Sequence, residues 1–274
     1  FFAFFVITLT LSWLTQGRLR KFILVLASYV FYLQIGVAPL VLLIMSTTFN
    51  YLCGNGIRLG SRKNATRWLM TGVGFNIGLL FVYKYSIFFR SSAENLAIFL
   101  GTEVHLGILE MILPIGISFY TFQAISYLID IYRGHGPYAK SFIDFALFQN
   151  FFPQILIGPI CRSSDLLPQI ENMPTTKIHN QSEAFLLILS GLWKKVILAT
   201  LLHEYGVADS FAEPERYSSL ALWLSMFGYS VQLYCDFSGY TDMARGFSLL
   251  MGFQLPVNFQ KPYAATNLGD FWKR

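Results

Sequence analysis

Charge is scarce in this sequence. Lys, Arg, Asp and Glu make up only 13% of its 274 residues, against about 25% in a typical soluble domain. A chain with so little charge cannot cover a water-facing globule of this size, which excludes a soluble enzyme, a disordered chain and a nucleic-acid module. Cysteine is nearly absent. Cys53, Cys161 and Cys235 are odd in number, far apart and without C-x-x-C spacing, so neither a disulfide framework nor a zinc site follows. Cys161 either carries an acyl group or packs, and packing is the simpler reading. The four histidines, His105, His135, His179 and His203, have no partner at metal-ligand or triad spacing and are expected to be solvated at loops or span ends. There is no G-x-S-x-G, no phosphate loop and no H-E-x-x-H. Heptads, internal repeats and low-complexity tracts are missing too, and no stretch alternates as a strand would, so a barrel is not expected.

What is abundant is apolar mass. The AVILMFWYC set reaches 54%, with 27 Phe and 15 Tyr. Runs of about 20 apolar residues cross the hydrocarbon of a bilayer as helix. Such runs place spans at Phe1–Thr15, Phe22–Leu33, Val37–Cys53, Trp68–Phe89, Met111–Asp130, Glu183–His203 and Leu220–Gly252. Gly54–Arg67, Ser91–Glu110, Arg162–Gln181 and the acidic His203–Ser219 read as polar connections, and Phe253–Arg274 as an aromatic-rich polar segment. Phe142–Pro159 is apolar but interrupted by Asp144, Gln149, Asn150, Pro153 and Gln154, which suits a re-entrant or buried broken helix. Gly72, Gly74 and Gly78 are small residues of the kind that let helices approach. Leu220–Gly252 is expected to break near Ser238-Gly239. The fold class is therefore all-α, a polytopic membrane bundle, with residues 1–110 as N-terminal spans and 111–274 as the core. Placing the Arg18–Lys21 turn inside puts fourteen of the twenty basic residues on the cytoplasmic side. Glu94, Glu103, Glu110, Glu204, Asp209, Glu213 and Glu215 then face out. The net charge of +5 is read as these basic inside loops.

Polar groups at membrane depth are costly and default to functional candidates. Tyr234 to Arg245 carries two carboxylates and a guanidinium between apolar runs. Asp242 and Arg245 can pair on one helix face. Asp236, Ser238, Tyr240 and Asp242 either line a polar cavity or clamp helices together. Pro153, Gln154, Gly158 and Pro159 prevent a continuous helix, bordering a cavity or making an interfacial loop. Arg162 either holds an anionic group or serves as a topology charge. Lys194 and Lys195 either snorkel or neutralise Asp236 or Asp242.

Several stretches together resemble one family: LPIGISFYTFQ from Leu113 and YRG at 132–134, FFPQILIGPICR from Phe151, GLWKKVILA from Gly191, YCDFSGYTDMARGFSLLMGFQLPVNFQKPY from Tyr234, and Asp270-Phe271-Trp272-Lys273-Arg274. They are similar to the membrane-bound O-acyltransferase family, closest to the bacterial branch that acetylates alginate and related exopolysaccharides. The resemblance implies broken helices around a central funnel in a multi-pass protein of the bacterial cytoplasmic membrane. It implies no bound cofactor but an acyl thioester donor, acetyl-CoA or an acyl carrier, as cosubstrate. The acceptor would be an extracytoplasmic polysaccharide, with membrane lipids around the protein and a periplasmic acetyltransferase as partner. Pro153, Gln154, Gly158, Pro159, Arg162, Asp236, Ser238, Tyr240 and Asp242 would shape the cavity. Asn258, Tyr263, Trp272 and Arg274 would position a loop carrying the family's Trp-His-x-Ser histidine. That histidine and the family's second one lie past Arg274, so no catalytic residue is assigned and the 274 residues by themselves are expected to be inactive. D-alanyl transfer to teichoic acid is the rival within the family. Outside it stand a transporter or flippase with Asp236 and Asp242 on the cargo, and a non-catalytic scaffold; many transporters show an inverted repeat that is not seen here.

Overall fold

In a computed structural model, residues 1–100, 102, 114–156, 158–173 and 180–274 are described, apart from the Ile87 side chain. His105, His179, Leu113, Lys177 and the start of the Met111 span lie outside them. The described residues are helical and contain no strand, as the composition requires. In chain order they form α1 (Phe2–Leu14), α2 (Gly17–Leu33), α3 (Val37–Leu59), α4 (Arg62–Leu80), α5 (Ser86–Phe99), α6 (Ile117–Arg133), α7 (Phe142–Asn150), α8 (Ser163–Glu171), α9 (Gln181–Leu192), α10 (Thr200–Leu202), α11 (Ala208–Ala212), α12 (Ser219–Leu250) and α13 (Leu268–Lys273). Wider π turns at Phe81–Tyr85, Trp193–Ala199 and His203–Val207 join α4 to α5 and α9 to α11 without breaking the rod. Val37–Leu59, Arg62–Tyr85 and Gln181–Ala212 are long and apolar enough to cross a membrane.

The chain divides into two compact units. One comprises residues 21–156 and 162–171, the other 1–20, 157–161 and 172–274.

The first unit packs α3, α4 and α6 together, with α7 against α3 and α8. Its interior is unusually polar. Asn50 and Asn76, both fully buried, exchange amide hydrogen bonds: Asn76 Nδ2 donates to Asn50 Oδ1 at 2.7 Å and Asn50 Nδ2 to Asn76 Oδ1 at 3.3 Å. In a helix bundle with no water to compete, such amides act as glue between spans. Only one of the three α4 glycines serves close approach. A Cβ at Gly72 would lie 2.5 Å from Leu128 Cδ1, whereas one at Gly74 or Gly78 would meet nothing within 4 Å among the described residues. Several expected loops are helix. The polar stretch Gly54–Arg67 is the end of α3 and the start of α4, its cations stacked on aromatics: Arg58 lies over Tyr138 at 4.3 Å and Arg62 over Tyr132 at 4.7 Å. Ser91–Phe99 belongs to α5. α6 stops at Arg133 because Gly134 takes a left-handed conformation, φ 71°, that side chains resist.

In the second unit α12 packs along α9 and its π turn, and α1 lies on α12. Phe5 meets Phe247 at 4.6 Å, and Trp13 Nε1 donates to the Leu250 carbonyl at 3.0 Å. α12 corrects an expectation: its 32 residues run through Ser238-Gly239 without a break. At 1.5 Å per residue it is about 48 Å long. Glycine there is a contact device. A Cβ at Gly239 would lie 2.7 Å from the Gly191 carbonyl oxygen, and one at Gly246 2.7 Å from that of Ala184. Gly239 and Gly246 are seven apart, as are Ala184 and Gly191, so two antiparallel helices touch backbone to backbone at two successive crossings. The acidic stretch after His203 is likewise helical as far as Ala212.

Candidate functional site

In the first unit the interrupted segment is an actual helix end. α7 begins at Ser141, whose Oγ accepts from Asp144 N at 3.2 Å and donates to Asp144 Oδ2 at 2.7 Å; Lys21 Nζ sits 2.6 Å from the other carboxylate oxygen. α7 ends at Asn150, and Pro153 cannot continue it. The freed backbone groups find side-chain partners. Phe152 N–H donates to Ser28 Oγ at 3.1 Å instead of to the Phe148 carbonyl. That carbonyl accepts from both Gln123 Nε2 and Gln154 Nε2, each at 2.8 Å. Asn150 Nδ2 donates to Thr47 Oγ1 at 3.0 Å. Phe145 to Ile155 is buried throughout, so the segment is a buried broken helix and not one facing lipid. Gly116, at φ 81°, closes against it: a Cβ there would lie 2.5 Å from the Ile155 carbonyl oxygen. The Leu113 and Phe151 motifs thus meet at this point. Pro153 and Gln154 are buried, and Arg162 is exposed, its backbone N–H capped by Asp165 Oδ2 at 3.1 Å. Ser28, Gln123, Asn50 and Asn76 were not singled out from sequence. Lone polar residues inside apolar runs carry no signal of which carbonyl they serve.

In the second unit the polar residues converge on the α9–α12 crossing. Lys194 Nζ lies 2.7 Å from Asp242 Oδ2 and donates to Ser238 Oγ at 3.1 Å. Lys195 Nζ lies 2.5 Å from Asp236 Oδ1. Arg245 Nη1 stands 3.7 Å from the other Asp242 oxygen. Of the two readings for Lys194 and Lys195, neutralisation of the aspartates holds. The geometry has a clear origin. A Cβ at Gly239 would lie 2.9 Å from Lys195 N and 3.1 Å from Lys194 Cβ, so the two consecutive lysines straddle α12 and reach carboxylates six residues apart. The π turn from Trp193 to Ala199 supplies the local winding, and such insertions are frequent at functional positions. The inner pair is the more enclosed, with side chains 24% and 16% exposed, against 35% and 51% for the outer. Three cations against two carboxylates leave one net positive charge. Asp242 is flanked by two cations.

The residues after α12 fold back on it. Phe259 packs between Tyr234 and Phe237, at 5.9 and 5.2 Å. Tyr263 Oη donates to the Ser230 carbonyl at 2.6 Å. Asn267 caps α13 by accepting from Asp270 N at 2.8 Å. Arg274 Nε donates to Asp270 Oδ2 at 2.9 Å, and that bond holds the Asp270 carboxyl below its ordinary range. Trp272 is exposed against Phe271, and Asn258 and Tyr240 are half-buried. Gly158, Pro159 and Cys161 are buried, with Cys161 Sγ 3.6 Å from the Pro159 carbonyl, so packing describes this cysteine. His135 and His203 are exposed; His203 stands in a π turn and not a loop. Among the described residues no cluster of His, Cys, Asp and Glu could hold a metal ion.

An all-helical membrane chain with a broken buried helix and charged helix crossings has a known class. Residues 136–274 match MBOAT, the membrane-bound O-acyltransferase family, and the chain belongs to it. Among curated relatives it is 39% identical to the protein named "Probable alginate O-acetylase AlgI" of Pseudomonas putida, over 100% of this chain and 56% of that protein. It is 36% identical to the peptidoglycan O-acetyltransferase of Helicobacter pylori, over 93% of this chain and 52% of the relative. It is 30% identical to the teichoic acid D-alanyltransferase of Bacillus subtilis, over 58% of this chain and 41% of the relative. The chain spans about half the length of the curated relatives it matches first.

Proposed function

We propose that the intact protein is an O-acyltransferase that passes an acetyl group from a cytoplasmic thioester, acetyl-CoA or an acyl carrier, towards hydroxyls of an extracytoplasmic polysaccharide. One observation carries the choice of acyl group. The likeness to O-acetyl enzymes extends over 93% or more of the chain, whereas that to D-alanyl enzymes stops at 58%. The protein sits in the bacterial cytoplasmic membrane as a multi-pass chain, with the basic first turns of α2 (Arg18–Lys21) and α4 (Arg62–Arg67) inside. A periplasmic acetyltransferase completes delivery to the polymer.

Acyl transfer needs a base for the acceptor hydroxyl and donors for the oxyanion of the tetrahedral intermediate. Asp236 and Asp242 are each engaged by a lysine, at 2.5 and 2.7 Å, and the base is assigned to the remainder of the intact protein. Lys194, the more enclosed of the two lysines, suits the second need, stabilising negative charge as it develops. Asn258, Tyr263, Trp272 and Arg274 position the chain that follows. The test is genetic. Deleting the gene should lower polymer-bound O-acetyl while leaving D-alanyl esters unchanged, and the full-length gene should restore it. Loss of D-alanyl with intact O-acetyl would overturn the assignment.

A further inference from the structure

A small recess opens at the Leu250 end of the α9–α12 crossing. It has a volume of about 170 Å³ and is lined by Glu183, Leu187, Arg245, Leu249, Gln254 and Leu255. An apolar cavity of roughly 150 Å³ admits a benzene ring, so this one takes a small headgroup. Glu183 is the third residue of the candidate span Gln181–Ala212, which puts the recess at the edge of the apolar slab, where lipid headgroups lie.

Two opposite charges line it without meeting. Arg245 has five N–H donors. Its closest carboxylate oxygen is 3.7 Å away and belongs to Asp242, which is already engaged by Lys194 at 2.7 Å. Arg245 Nε is buried and has no hydrogen-bond partner among the described residues. Glu183 accepts from Asn180 Nδ2 at 2.9 Å, and among the described residues no cation lies within 4 Å of it. A lone anion would satisfy the arginine and leave the carboxylate unpaired; a lone cation would do the reverse. A dipolar group satisfies both. Guanidinium is suited to phosphate through its fork of donors. A carboxylate favours a primary ammonium, which can donate hydrogen bonds, over a quaternary one, which cannot. Leu187, Leu249 and Leu255 supply the apolar wall for the glycerol end.

We propose that this recess binds the headgroup of a phospholipid bearing a primary ammonium, with its phosphate on Arg245 and its ammonium on Glu183. The proposal rests on Gln181–Ala212 crossing the membrane and not on the acyl-transfer reading. The probe is the full-length protein in detergent, titrated with phosphatidylethanolamine, phosphatidylcholine or phosphatidylglycerol, with bound lipid counted by native mass spectrometry. Phosphatidylethanolamine should bind about tenfold tighter than phosphatidylcholine, the difference that 1.4 kcal/mol makes. Glu183→Gln, at an exposed position, should erase that preference, and Leu249→Trp should fill the recess and abolish retention. Equal binding of phosphatidylglycerol, or an unchanged preference in Glu183→Gln, would overturn the proposal. So would displacement of the lipid by an equal concentration of soluble phosphoethanolamine.

Discussion

Adding one methyl group at Gly239 should weaken the second unit, while adding the same group at Gly74 should not. At Gly239 a Cβ would sit 2.7 Å from the Gly191 carbonyl oxygen and 2.9 Å from Lys195 N. Ordinary contact begins at 3.4 Å, so α9 must retreat by 3.4 − 2.7 = 0.7 Å. The obstacle is backbone, which cannot swing aside. Overpacking of this kind costs about 1–3 kcal/mol, and the better helix propensity of Ala returns about 1 kcal/mol. The net loss for Gly239→Ala is therefore about 0–2 kcal/mol. Gly239→Val adds two more methyls without much of that return, and should lose about 3 kcal/mol or more. Gly74→Ala meets nothing within 4 Å and should be neutral or gain up to about 1 kcal/mol. In soluble domains of 150–250 residues each kcal/mol moves the thermal midpoint by about 2–4 °C. Thermal unfolding of the full-length protein in one detergent should rank Gly74→Ala at or above wild type, then Gly239→Ala, then Gly239→Val. A Gly239→Val protein as stable as Gly74→Ala would refute the close crossing.

Three further outcomes are expected. Gln149 is fully buried and neither atom of its amide has a hydrogen-bond partner among the described residues; removing both polar atoms in Gln149→Met should leave the thermal midpoint unchanged or raise it, and a drop of several degrees would contradict this. By contrast, Asn76→Leu leaves the buried Asn50 Oδ1 without its donor, while Asn50 Nδ2 keeps the Ser46 carbonyl, and should cost about 1–3 kcal/mol, read as a lower midpoint. Asp270, whose carboxyl is held low by Arg274, contributes order to α13 that is complete above the ordinary carboxylate range near ~3.9 and is lost as pH falls through its depressed value; Asp270→Asn should loosen the residues around Trp272 at neutral pH, seen as faster proteolysis there and no further change on acidification.

Much of this architecture was legible because it depends on composition and spacing. Apolar runs gave α1 to α4, α6 and α9, though the expected ends of α4 and α9 differ from the observed ones by up to about ten residues because π turns carry the winding onward, and Pro153 gave the end of α7. Lysine–aspartate pairing was one of two readings the sequence left open, snorkelling being the other, and the ion-pair distances decide for pairing. Two kinds of feature were not legible. Gly239 looked like a helix breaker because propensity treats glycine as a weak point, while its function here is contact with Gly191 on a segment some 48 residues away. The same ambiguity made Gly72, Gly74 and Gly78 look alike when only Gly72 touches a neighbour. Polar stretches such as Gly54–Arg67 and His203–Ser219 read as loops because charge was taken to mean water. In fact Arg58 and Arg62 stay on helices by lying over tyrosine rings. The side chains that close the end of α7, Ser28 and Gln123, come from α2 and α6, far away in sequence.

The Lys194–Asp242 pair either serves the proposed acyl transfer or only fastens α12 to α9. Exchanging the two residues, Lys194→Asp with Asp242→Lys, in the full-length protein separates these roles. Each single change should lower the amount of folded protein, and the exchange should restore it. O-acetyl transfer in membranes should stay depressed by roughly 100-fold, the loss that a misplacement of about 1 Å in an active site produces. Full recovery of transfer along with folding would refute a role in transfer and leave the pair as a fastener alone.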